Sequence, residues 1–162
     1  IRRRPSDEMI CSFEELCTSF WDALIDCFAD VFNYVTDAPN AQPYRNRTGG
    51  NLLFFFVVLL PFVRAAVKVA IQQKKSFCEI FRMFPQELLE IDNVLWRNIL
   101  WNNDKGTMIV NNQKLSERIL LYFWDKNTLT EKEITTMKLD IKANRQLLDI
   151  EDVDTLLCDA ID

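Results

Sequence analysis

Apolar residues return every three or four positions along the early chain. Phe13, Leu16, Cys17, Phe20, Trp21, Leu24, Phe28, Val31, Phe32 and Val35 form one wide stripe, with Glu15, Asp22, Asp26 and Asp30 largely opposite. This period predicts an amphipathic helix from about Phe13 to Val35. Ser12-Phe13-Glu14-Glu15 matches the capping box that opens such helices. The aromatic stripe is expected to pack into the core, with a groove for a partner helix as the alternative.

The periodicity breaks in Tyr44 to Ala66, which reads YRNRTGGNLLFFFVVLLPFVRAA. Leu52 to Val58 is aromatic and β-branched without alternation, which predicts a strand buried on both faces. Gly49 and Gly50 allow a tight bend before it. Pro61 suits the first turn of a helix and holds Leu60 extended, so the strand-to-helix junction is expected there. The helix is expected to reach about Lys74, with Val63, Ala66, Val67, Ala70 and Ile71 inward. The apolar run is interrupted at Pro61 and meets Arg64 and Lys68, which argues against a membrane span.

Further on, Ser76-Phe77-Cys78-Glu79 and Thr130-Glu131-Lys132-Glu133 also match the capping box. They predict a short helix to about Phe84 and a longer one to about Leu148. Gln86 to Asp92 has room for a helical turn, and Asn93 to Asn98 reads as helical. Asn102 to Gly106 is rich in turn formers, so Thr107 to Val110 is expected as a short strand beside Leu52–Val57 or Ile99–Trp101. Asn111 or Asn112 caps a helix to about Trp124, with Leu115, Ile119, Leu120, Tyr122 and Phe123 inward. Asp149 to Asp162 reads as a short docking helix or a frayed end, and residues 1–11 as a second loose end. The fold expected is a single α+β domain, mostly helical, with five or six helices around a short buried β element. Because the 162 residues begin at Ile1, they are read as a fragment of a longer protein.

Composition narrows the chemistry. With no histidine, the chain lacks the means for Ser-His-Asp, Cys-His and histidine-dependent zinc sites. Five cysteines, an odd number with no Cys-x-x-Cys spacing, fit reduced thiols in a cytoplasmic protein. Cys17, Cys27 and Cys78 are read as small apolar or structural residues. Asp149, Glu151, Asp152 and Asp154 are read as a soluble acidic end rather than a magnesium site. No catalytic residue, metal or cofactor is assigned.

Net charge is −5, but the charges are segregated. Ser6 to Pro43 holds eight acids and no base, whereas Asp37 to Glu79 encloses six bases and no acid. The glycines precede the predicted strand and no Gly-Lys-Ser follows, so a nucleotide-hydrolysing loop is not expected. Arg45, Arg47, Arg64, Lys68 and Lys75 form a candidate phosphate-facing set. Tyr44 is added for base stacking, and Gly49, Gly50 and Asn51 for close backbone approach. The bland alternative is a solvated basic face or one paired with the chain's own acids.

Tyr44 to Phe54, followed by Leu60-Pro61-Phe62-Val63-Arg64-Ala65-Ala66, resembles a region of bacterial DGQHR-domain proteins, a group that includes DndB-like regulators. Trp96 to Asn103 and Met108 to Leu115 also resemble its C-terminal portion. The DGQHR sequence itself is absent, and Phe55, Phe56 and Val58 stand where relatives carry Arg-Pro and then Gly. The resemblance implies a cytoplasmic bacterial protein tied to DNA sulfur modification or DNA defence. The leading expectation is a non-enzymatic DNA-associated or regulatory module whose partners are DNA or a protein of the same system. The alternatives are a protein-interaction module using the acidic aromatic first helix or the acidic tail, and a lid or clamp for an enzyme whose site lies elsewhere.

Overall fold

The computed structural model describes residues 4–37, 40–46 and 50–161. Among these residues are seven α-helices and one two-stranded antiparallel sheet, a mostly helical α+β fold. Helix α1 (Asp7–Cys27) opens at Ser6, whose hydroxyl accepts from the Met9 amide at 3.3 Å, with Asp7 and Glu8 in the favourable first turn. It therefore starts six residues before the expected Phe13, and Ser12 lies inside it. The predicted single helix also breaks: Phe28 is extended (φ −118°, ψ 109°) and starts α2 (Ala29–Thr36). The break turns the Phe28 ring onto Phe62 and Phe81, at 5.9 and 5.4 Å between centroids.

The expected strand at Leu52–Val58 is not a strand. Leu52–Phe54 is a 3-10 turn, and α3 runs from Phe56 to Gln73 with Pro61 inside it rather than at its start. A local cap decides the outcome. Asn51 Oδ1 accepts from the Leu53 amide at 2.9 Å, and Phe55 N bonds Leu52 O at 3.0 Å, so the backbone closes on itself instead of on a neighbouring strand. The inward face of α3 is also displaced from expectation. Val58, Phe62, Ala65, Ala66 and Val69 are buried, whereas Val63 and Val67 are half-buried and Ile71 is exposed. By length and composition alone α3 would span a membrane, but it packs against α4 (Phe77–Arg82) and α5 (Gln113–Asp125), so its buried side is core.

Around α3 the aromatic rings interlock. Phe62 lies 5.1 Å from Trp124 and 5.7 Å from Phe81, and Phe84 lies 4.7 Å from Trp124. Two of the buried indoles satisfy their N–H groups on backbone carbonyls: Trp124 donates to Ile80 O at 2.7 Å and Trp96 to Leu88 O at 2.8 Å. The expected turn at Gln86–Asp92 is a 3-10 turn at Gln86–Leu89, and a second covers Val94–Trp96. Strand β1 (Trp101–Asn102) pairs with β2 (Thr107–Met108), the nearer of the two partners expected. Asn112 occupies the start of α5 without capping it; its amide donates instead to Ile99 O at 2.9 Å and Asn144 Oδ1 at 3.0 Å.

The capping boxes at Ser76 and Thr130 both form, opening α4 and α6 (Glu131–Arg145). Hydrogen bonds from Ser76 hold the Glu79 carboxyl below the usual carboxylate range, and those from Thr130 do the same to Glu133. The C-terminal stretch is a docked helix, α7 (Ile150–Asp159), with Val153, Leu156, Leu157 and Ala160 buried. Its carboxylates are spent locally. Asp149 and Asp152 form a capping box, and Asp154 pairs with Lys138 at 2.5 Å.

Candidate functional site

The described members of the candidate set sit in different local surroundings. Tyr44 stacks on Phe54 at 4.5 Å and 11°, so one face of its ring is already covered. Arg45 lies over the Phe55 ring at 5.2 Å, a cation–π contact. Gly50 sits at φ 128°, and a Cβ there would stand 2.3 Å from Tyr44 O, so the backbone approach excludes any side chain. Asn51 is buried, donating to Asp30 Oδ2 at 2.9 Å while capping the turn after it. Its role is structural. Arg47 and Gly49 lie outside the described residues.

On α3, Lys68 is ion-paired with Glu117 of α5. Lys75 Nζ lies 3.3 Å from Met83 Sδ, and its charge helps lower the Glu79 pKa. Arg64 is exposed and, among the described residues, has no carboxylate within ion-pair distance. Among the described residues no group of three or more potential ligands is placed to hold a metal ion. Cys27 and Cys78 face each other at 3.7 Å between sulfurs, and burial pushes the Cys27 thiol up to about 11. That state is inert at neutral pH.

What the fold does build is an apolar groove between α1 and α3, floored by Phe77 of α4. Phe13, Leu16 and Phe20 line one wall of its middle section, and Val63 and Val67 the other, around a hollow of about 200 Å³. It continues past Trp21 towards Val35 and Phe54 in a second hollow of about 200 Å³. In the other direction it reaches Ile71 and Ser76 through one of about 320 Å³. The rim is apolar: Phe13 is 67% exposed, Trp21 48% and Ile71 72%. On α3 the spacing explains the row. Phe56, Val63, Val67 and Ile71 fall on one side, Arg64 and Lys68 beside it, and the core residues opposite, with Lys75 past the helix end.

The wide stripe expected on the first helix therefore splits. Phe20, Leu24, Phe28 and Val31 are buried, whereas Phe13, Leu16, Trp21, Phe32 and Val35 are half or more exposed or nearly so. The sequence did carry a signal for the exposed part. Met9, Phe13, Leu16, Phe20, Ala23 and Cys27 are spaced four, three, four, three and four apart, a heptad seam beginning ahead of the expected helix start. No family model matches the chain, and no curated protein or solved structure matches it.

Proposed function

We propose that this domain is a non-enzymatic regulatory module that works by docking another polypeptide in the groove between α1 and α3. The carrying observation is the set of large apolar side chains left in solvent along the groove, Phe13, Leu16 and Trp21 on α1 with Ile71 on α3. A contiguous apolar surface of this kind costs solubility and marks an interaction site. The acidic tail, the other docking candidate, has its leucines packed into the fold and offers no comparable face. The resemblance to DGQHR-domain proteins extends the proposal: the partner belongs to a bacterial DNA-modification or defence system, in the cytoplasm.

A photo-crosslinking residue at position 13 of the full protein, in its own cells, tests the docking reading. A polypeptide adduct is expected, and it should vanish when Leu16 becomes Glu. No such adduct should form at position 148, where Leu148 is 89% exposed but lies off the groove. Absence of any adduct at position 13 overturns the reading.

Direct DNA contact is the second reading, favoured by Arg45, Arg64 and Lys74 having no carboxylate within ion-pair distance among the described residues. On this reading duplex binding weakens steeply with salt, and Arg45→Ala with Arg64→Ala lowers the log–log salt slope by about one per lost phosphate contact. No duplex binding at about 50 mM salt removes it.

A further inference from the structure

The first half of α1 is left exposed beside the open groove. Every described residue from 4 to 16 is exposed, including those of the apolar seam, whereas Phe20 and Ala23 of the same seam are buried. In heptad terms Met9, Leu16 and Ala23 take position d, and Phe13, Phe20 and Cys27 take a. The flanking e positions are Ile10, Cys17 and Leu24, and the g positions of the exposed half are Ser12 and Ser19. Asp7, Glu8, Glu14, Glu15 and Asp22 all fall at b or c, away from the seam. The free seam is therefore apolar at its centre and uncharged at both edges.

That pattern selects among occupants. The five acids at b and c, with no base anywhere on α1, oppose an anionic lipid surface or a nucleic acid beside this helix. A helix identical to α1 carries the same acids, but at b and c they lie away from the shared apolar seam. Laid antiparallel, e faces e and g faces g, which sets Ile10 and Cys17 against apolar neighbours and lets the serines approach closely. The outward acids then need bases on the other chain. The α3 edge of the groove supplies them, with Arg64 and Lys75 beside Val63, Val67 and Ile71 and no acid between Asp37 and Glu79.

We propose that the occupant is a second copy of this chain, in an isologous dimer with the two α1 helices antiparallel along Met9, Phe13 and Leu16. Each α1 closes on the α3 edge of its partner, so the acid-to-base contact is made twice. This identity of the partner rests on the docking reading above.

Sedimentation of the purified chain over a concentration series is the test. A species of twice 19.1 kDa is expected. Phe13→Glu with Leu16→Glu should weaken association by about a hundredfold or more, Arg64→Glu by about tenfold, and Leu148→Asp not at all. Phe13 and Leu16 are exposed in the single chain, so an unchanged unfolding midpoint shows that the variants fold. A dimer that survives the double substitution overturns the proposal. So does a monomer throughout, or a monomer that floats with anionic vesicles. A monomer whose position 13 still cross-links to a different protein overturns the dimer and leaves docking standing. A monomer with no adduct removes both.

Discussion

The two halves of α1 carry one apolar seam and meet opposite fates. From Phe20 to Cys27 the seam turns into the body, where Phe20 packs edge-on against Phe77 and Phe81 at 5.1 and 5.4 Å. From Met9 to Leu16 the same spacing faces solvent. Seam and helix are continuous, so the difference lies in what stands opposite. The second half has α4 beneath it, whereas the first half borders the open groove towards Val63 and Val67 of α3. Amphipathic spacing thus reports that a face needs a partner, without saying whether the partner is in the same chain.

The widest contrast is in stability. Phe62→Ala removes a ring in contact with Phe28, Phe81, Phe84 and Trp124, and should cost roughly 3–5 kcal/mol in urea unfolding. Phe13→Ala, in the exposed half, should stay within about 0.5 kcal/mol for the single chain. Equal losses would break the distinction between the two halves.

The cysteines at the two ends of α1 give a kinetic version. Cys11 is exposed, whereas Cys27 has its thiol raised to about 11 by burial, by its hydrogen bond with Cys78 and by the neighbouring charge. At pH 8 iodoacetamide should modify Cys27 at least about tenfold more slowly than Cys11, since the thiolate is the reacting form. Comparable rates would mean that this end of α1 is not held in place.

Gly50→Ala probes the loop that carries the candidate basic set. A Cβ 2.3 Å from Tyr44 O at φ 128° should cost about 2–3 kcal/mol and disturb Tyr44 and Arg45 together. If DNA binding exists and survives this change intact, these two residues do not carry it.

The smallest effect concerns the caps. Glu133 has its pKa lowered in the fold by the Thr130 hydrogen bonds, so its contribution is complete above the unfolded value near pH 4.3. It is lost as pH falls through the lower folded value. Thr130→Ala should cost about 1 kcal/mol at pH 7 and less near pH 3. A cost independent of pH would show that the carboxylate is not part of the cap.

Local signals were the legible part of this sequence. Ser76 and Thr130 with glutamates three residues on gave two helix starts, and the turn formers from Asn102 to Gly106 placed the hairpin. The body and end of α3 were legible, from Pro61 to about Lys74, but its start at Phe56 was not, because its first turns are apolar all round. One side meets the core and another lines the groove, so no helical period survives and a run of Phe and Val resembles a strand. The Ser12 box failed for a different reason: Ser6, with acids at 7 and 8, starts the helix earlier, and a matching motif inside an established helix has no free amides to cap. The basic residues were easy to find in sequence, but their engagements were not. Phe55 beneath Arg45 and Glu117 beside Lys68 come from packing alone.

Amide hydrogen exchange along α1 tests most directly whether its first half is a docking seam. In dilute protein, Asp7 to Leu16 should exchange far faster than Phe20 to Cys27, and protection should spread to the first half as the chain is concentrated. With Phe13→Glu and Leu16→Glu that gain should disappear. Protection of Asp7 to Leu16 that is already high in dilute solution, and indifferent to both concentration and substitution, would contradict it.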